Sequence, residues 1–97
     1  MIVRFNIELA EQDQYDYRVT YEGEDLYADT NLSSIEACVN AALEGLGGDA
    51  VAAEVAYQGV ISGTYALASL ALATNQIAQH ARQTTEAIEE AMNAADR

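Results

Sequence analysis

The chain has 97 residues and a mass of 10.4 kDa, enough for one modest hydrophobic core and too little for two. We therefore expect a single domain over residues 1–97, with a β part over 1–30 and a helical part over 31–97. Sixteen acidic residues against four arginines and no lysine give a net charge of −12, which argues against direct binding to nucleic acid or to anionic membranes. The single cysteine and the single histidine exclude an internal disulfide and a multi-histidine metal site.

The β part alternates apolar and polar residues with a period of two, which is typical of half-buried strands. The alternation runs from Val3 to Leu9 and again from Tyr15 to Tyr21. Gly23, between two glutamates, supplies a turn after the second run. A shorter third run follows, so we expect a three-stranded antiparallel meander over residues 2–30.

The third run, residues 25–30, contains the one tyrosine that this pattern predicts to be exposed. Leu26 and Ala28 point to one side of the run, and Tyr27 points to the other side together with Asp25 and Asp29. A tyrosine exposed among carboxylates suits a protein–protein interface. Tyr27 is therefore predicted to anchor a partner.

A helix over residues 34–45 follows the meander. Ser33 and Glu36 have the spacing of a capping box, in which each side chain accepts a hydrogen bond from an amide at the helix start. Apolar residues recur at helical spacing from Ile35 to Leu46, and glycines then end the helix. This helix should cover the apolar face of the meander.

The C-terminal half is rich in alanine and contains no proline, which favours a long helix or a helical hairpin, with the last helix over about 64–95. Uncharged positions three and four apart form a seam typical of coiled coils. Residues 50–58 also alternate as a strand would; helix is favoured there because Ala and Glu are poor strand formers. The residues predicted to mediate self-association along the seam are Leu67, Leu70, Ile77, Ala81 and Ile88.

The candidates for catalysis and for metal or cofactor binding are few. Cys38 lies on the apolar stripe of its helix, where a buried structural thiol is expected. His80 fits a solvated helix surface, and no glutamate precedes it by three residues, as a di-iron site would require. We expect no enzymatic activity, no cofactor and no metal.

The acidic residues are unevenly distributed. Residues 1–30 carry two arginines and eight carboxylates, a balance of 2 − 8 = −6, half the net charge in under a third of the chain. Rows of carboxylates on strands form an extended negative surface that attracts a basic groove. Solubility, or adaptation to high salt, is the alternative explanation. The residues predicted to bind a partner are Glu11, Asp13, Asp16, Glu22, Glu24, Asp25, Tyr27 and Asp29.

In its small size, its acidity without lysine and its hairpin carboxylates, the chain resembles the small phage-encoded anti-defence proteins, of which the anti-CRISPR inhibitors are the best-known group. The resemblance implies a stoichiometric inhibitor that occupies the nucleic-acid-binding surface of a Cas-type effector. It also implies action in the cytoplasm of a bacterial host cell, and the N-terminus shows no pattern of a secretory signal. The competing hypothesis is a structural or adaptor protein that forms a homodimer through its C-terminal helix.

Overall fold

The computed structural model describes residues 1–95, which form a five-stranded mixed sheet with three helices. The strands lie in the order β3-β2-β1-β4-β5, and all neighbours are antiparallel except β1 and β4, which are parallel. The strand bounds are β1 Ile2–Glu11, β2 Gln14–Tyr21, β3 Glu24–Leu32, β4 Ala52–Tyr57 and β5 Val60–Ala66. The helix bounds are α1 Ile35–Glu44, α2 Leu67–Leu72 and α3 Thr74–Ala95.

The helices cover one face of the sheet and leave the other face open. α1 packs on β1, β2 and β3, whereas α3 packs on β4 and β5. The core between the two layers is built from alternate residues of the central strands, such as Phe5, Val19 and Val55, and from the apolar stripe of α1. The opposite face carries the polar alternates, so the α+β class follows from the same period-two pattern that predicts the strands.

The N-terminal prediction is confirmed in outline. The first three strands form an antiparallel meander, and α1 follows within one residue of the predicted bounds at each end. The helix N-cap is Ser34, whose hydroxyl accepts a hydrogen bond of 3.0 Å from the Ala37 amide, rather than Ser33 as the capping box suggests. The sheet does not end with the meander, however.

The helix favoured over residues 50–58 is wrong: this segment forms β4, as the alternative strand interpretation had it, and β5 follows it. β4 lies parallel to β1, and its buried alternates Ala53, Val55 and Tyr57 face the helices. Gln58 and Gly59 both have positive φ, at 52° and 81°, the pattern of a type I′ turn that joins two strands tightly. Alanine is a poor strand former in isolation, but burial between β1 and β5 outweighs that preference.

The predicted last helix, 64–95, is shorter than expected because its first residues belong to β5. The chain bends at Ala73, so α2 and α3 are separate helices. α3 is buried against the sheet as far as Thr85, whose hydroxyl donates a hydrogen bond of 2.8 Å to the carbonyl of Tyr57 at the end of β4. Residues 86–95 continue past that end of the sheet and are exposed.

Candidate interaction surface

The carboxylates predicted to bind a partner lie along one side of the sheet, on the β2–β3 hairpin and the turn before it. Glu11 and Asp13 lie at the β1–β2 turn, and Glu22 and Glu24 lie at the β2–β3 turn, at opposite ends of β2. The remaining three, Asp16, Asp25 and Asp29, lie between or next to these turns. Every one of the seven is exposed except Asp16, which is half-buried. We call this set of seven carboxylates the acidic edge.

The acidic edge has an average charge density along β2 that is close to that of a nucleic-acid strand. β2 has eight residues and so extends over about 23 Å at about 3.3 Å per residue. Seven carboxylates over that length average about one negative charge per 3.3 Å, compared with about one per 3.4 Å along a single DNA strand. Because the carboxylates lie at both turns and on the strands between them, the negative surface is extended rather than compact.

One pair of carboxylates lies face to face across two strands. Glu8 of β1 is the direct cross-strand partner of Asp16 of β2 on the open face of the sheet. Like charges in that position destabilise a sheet. Glu8 was not among the residues predicted to bind a partner, and only the strand register identifies it as a neighbour of Asp16. It extends the acidic edge inward by one strand.

Few cations compensate these charges within residues 1–95. Arg18 contacts Asp25 at 3.2 Å and Arg4 contacts Glu54 at 3.6 Å, and these are the ion pairs of the described chain. Both pairs are exposed to solvent, so each contributes little to stability. Neither arginine forms an ion pair with Glu8 or Asp16, so no ion pair among residues 1–95 compensates the face-to-face carboxylates.

Two of the carboxylates also organise the backbone of β3. Asp29 accepts a hydrogen bond of 2.8 Å from the amide of Thr30, and Asp16 accepts one of 3.3 Å from the amide of Asn31. Asn31 has a φ of 64°, and the β2–β3 register shifts between Tyr15 and Tyr17, which marks a bulge. These acids therefore stabilise an irregular edge strand while their remaining oxygens face solvent.

The predicted exposure of Tyr27 is wrong. The ring lies on the helix-covered face, edge-to-face with Tyr17 at a centroid distance of 6.4 Å, and its hydroxyl donates a hydrogen bond to the carbonyl of Ala42 in α1. A register shift between Val19 and Thr20 reverses the expected facing of β3, so that Leu26 is the residue left 45% exposed. Tyr27 therefore holds the β2–β3 hairpin against α1 and is not an exposed side chain that a partner could contact.

The surroundings of these tyrosines disfavour their ionised forms. Burial, with a smaller contribution from Tyr17, raises the pKa of Tyr27 to about 12. Burial also raises the pKa of Tyr17, and the negative charge of Asp29 adds to that effect. Both hydroxyls therefore remain neutral at physiological pH, and the hydrogen bond from Tyr27 to α1 stays formed.

The thiol of Cys38 lies in the core beneath the acidic edge. Burial raises its pKa to about 12, and the charges of Asp16 and Asp29 act in the same direction. A thiol with such a pKa stays protonated at neutral pH, and the thiolate is the nucleophilic form of cysteine. His80 is exposed on α3, far from this thiol in the sequence and on a different helix.

Most of the residues predicted to mediate self-association are buried inside the chain. Leu70, Ile77 and Ala81 belong to the core, and Leu67 packs against it. Only Ile88, 41% exposed, lies on the projecting end of α3. The seam therefore faces the sheet and α1 rather than a helix of a second copy, because β4 and β5 widen the sheet enough for α3 to cover it.

No helix within residues 1–95 combines the length and the apolar character needed to cross a membrane. Comparison of the chain with protein-family models, with curated proteins and with solved structures finds no match.

Proposed function

We propose that the chain is a non-enzymatic acidic binding protein that acts in the cytoplasm of a bacterial host cell. It would inhibit a nucleic-acid-handling protein, such as a CRISPR effector, by occupying the basic surface on which that protein holds nucleic acid. The observation that carries the proposal is the acidic edge together with Glu8, which lies directly opposite Asp16 with no ion pair to either carboxylate among residues 1–95. A sheet gains nothing from two opposed carboxylates, whereas a cationic partner would be drawn to them.

The extended shape of the acidic edge defines the partner surface that it fits. A groove lined by arginine or lysine over about 23 Å would match the length of β2. The exposed carboxylates would act first on the rate of encounter, because long-range attraction steers a basic surface toward an acidic one. Tyr27 would contribute indirectly, by holding the hairpin on α1 through its hydrogen bond to Ala42.

The electrostatic origin of the binding predicts a strong dependence on salt. Exposed charges are screened over about 10 Å at 0.1 M salt and over about 4–5 Å near 0.5 M. Partner binding should therefore weaken steeply over that range. A complex held mainly by apolar contacts would not weaken in this way.

The test compares two variants that change the net charge equally. In the edge variant, the residues replaced by lysine are Asp13, Asp16, Glu24, Asp25 and Asp29. In the control variant, they are the exposed helix acids Glu36, Glu44, Glu86, Glu89 and Glu90. Circular dichroism checks that the edge variant keeps the fold, because Asp16 and Asp29 also hold the backbone of β3. The wild-type chain is used to capture partners from a bacterial lysate, and each captured partner is assayed for binding to its own nucleic acid.

We expect the wild-type chain and the control variant to compete with nucleic acid for the partner, and the edge variant to lose at least ~10-fold in affinity because like charges then face the basic groove. Equal loss in both variants would show that net charge alone matters. A partner that binds the chain and its nucleic acid at the same time would refute the mimicry proposal.

A further inference from the structure

The sheet has two edges, and only one of them is charged. β3, at one edge, carries Glu24, Asp25 and Asp29 and has two register shifts against β2. β5, at the other edge, has one register shift and contains neither a charged residue nor a proline. It belongs to an uncharged segment that extends over residues 55–79.

The outer side of β5 has backbone groups without a strand partner. β5 pairs with β4 on its inner side, and among residues 1–95 no backbone hydrogen bond outside that ladder involves residues 61–65. An exposed edge strand presents a row of amides and carbonyls that another strand can pair with. Natural proteins usually block such an edge with charges or bulges, as β3 does here.

We propose that β5 pairs antiparallel with β5 of a second copy of this chain, so that two five-stranded sheets form one continuous sheet around a two-fold axis. A two-fold axis makes the interface self-complementary, since each strand offers its partner the groups that it receives. Antiparallel addition at an edge also needs no rearrangement of the chain.

The charge distribution favours a second copy of the chain, rather than a basic partner, as the molecule that pairs with β5. Two chains of net charge −12 repel each other over most of their surfaces. The uncharged segment over residues 55–79 is the region in which two copies can make contact without opposing carboxylates. A basic partner, in contrast, would find no carboxylate on β5 to attract it.

The helices next to β5 supply the area that a strand pair alone lacks. β5 has seven residues and is about 20 Å long, and a stable interface buries about 800 Å² on each partner. α2 begins where β5 ends, whereas α3 projects beyond the other end of β5. Antiparallel pairing brings these two ends together, so that Leu72, 89% exposed, approaches the partner's projecting helix with its Met92, 63% exposed.

The test uses two exposed threonines, one on each edge. Thr64→Glu places a carboxylate on β5, and Thr30→Glu places the same charge on β3. Dimerisation is measured by sedimentation equilibrium of the full chain over a range of concentrations, with circular dichroism to confirm the fold. We expect a wild-type dimer that Thr64→Glu weakens at least ~10-fold, because the two new carboxylates then lie near each other across the strand pair, and that Thr30→Glu leaves nearly unchanged.

A wild-type chain that stays monomeric at every concentration would overturn the proposal, as would a dimer that both variants weaken equally. Hydrogen exchange of the wild-type chain gives an independent readout, in which amides of residues 60–66 should gain protection as concentration rises and those of β3 should not. The dimer should tighten with added salt, because salt screens the mutual repulsion of two acidic chains. Partner binding at the acidic edge should weaken with salt, so the two proposals can fail separately.

Discussion

The two edges of the sheet differ in nearly every property that governs strand association. β3 carries three carboxylates and two bulges, whereas β5 is uncharged and has one register shift. Bulges and charges are the devices by which natural sheets prevent edge-to-edge pairing. The asymmetry means that β3 is protected against pairing with another strand, whereas β5 has only its one register shift to oppose such pairing.

Each edge also has a tyrosine lying over a glycine, but the two tyrosines are held differently. A methyl group on Gly45 would lie 2.6 Å from the Cε2 atom of Tyr27, and one on Gly63 would lie 2.7 Å from the hydroxyl of Tyr65. Tyr27 is fixed by its hydrogen bond to Ala42. Among the side-chain hydrogen bonds of residues 1–95, none involves Tyr65, and the contact is at the free end of its ring.

Removing the charges from β3 should have the largest effect, because it would leave the sheet with two unprotected edges. We expect replacement of Glu24, Asp25 and Asp29 by threonine to convert a closed dimer into open-ended polymers. In the variant, β5 would pair with β5 of one copy and β3 with β3 of another, so the sheet would extend from chain to chain. Sedimentation velocity would detect the larger species. Threonine replacements of Glu36, Glu44 and Glu89 on the helices change the net charge equally and should leave a dimer. A β3 variant that sediments like the wild type would show that the bulges alone protect this edge.

Alanine substitutions of Gly45 and Gly63 should have effects of intermediate size on the free energy of unfolding, and the two effects should differ. We expect Gly45→Ala to lower the free energy of unfolding by about 1–3 kcal/mol, because Tyr27 cannot move without losing its hydrogen bond to α1. Gly63→Ala should lower it by less than about 1 kcal/mol, because the hydroxyl end of Tyr65 can swing away. Denaturant unfolding in a Thr64→Glu background, at a protein concentration at which sedimentation equilibrium shows a monomer, keeps dimerisation out of the comparison. Equal losses in the two variants would mean that Tyr27 is no more firmly held than Tyr65.

The effect of Tyr27→Phe should be smaller than that of Gly45→Ala, and it depends on pH. Loss of the hydrogen bond to Ala42 should lower the free energy of unfolding by about 0.5–1.5 kcal/mol at neutral pH. The pKa of Tyr27 rises from 10.0 in the unfolded chain to about 12 in the folded one, so the neutral hydroxyl stabilises the fold fully below pH 10. That stabilisation is lost as the pH rises toward about 12, and the wild-type advantage over Tyr27→Phe should shrink over this interval. Urea unfolding at a series of pH values measures the difference in the free energy of unfolding between the wild type and Tyr27→Phe. A difference that stays constant between pH 10 and 12 would contradict the raised pKa of Tyr27.

Local signals in the sequence were sufficient for the first half of the fold. Alternation from Val3 to Leu9 and from Tyr15 to Tyr21 predicted the meander strands, and the glycine after Glu22 predicted the turn that joins β2 to β3. Each of these signals depends on residues close together in the chain. The exposure of the predicted carboxylates also followed from composition and alternation, because a carboxylate is seldom buried without a partner.

The errors lie where distant segments meet. Whether Tyr27 faces the helices depends on a bulge in the pairing of β3 with β2, and alternation within β3 carries no information about that bulge. The opposition of Glu8 and Asp16 likewise depends on the register of two strands. A signal for the missed β4–β5 hairpin existed in Gln58-Gly59, between the strand formers Tyr57 and Val60, but glutamine is an unusual first residue for such a turn.

The sequence by itself determined the α+β class, the meander, the covering helix and an acidic, lysine-free surface, since these follow from short-range periodicity and from composition. Only the tertiary structure decided that residues 52–66 are strands. An alanine-rich segment can form either a helix or a strand in isolation, and the unpaired side of β1 selects the strand by pairing with β4 in parallel. The pairing of β1 with β4 buries Leu70, Ile77 and Ala81 against a wider sheet and creates the uncharged edge at β5. No local pattern specifies this pairing, because a parallel pair joins segments about fifty residues apart in the chain.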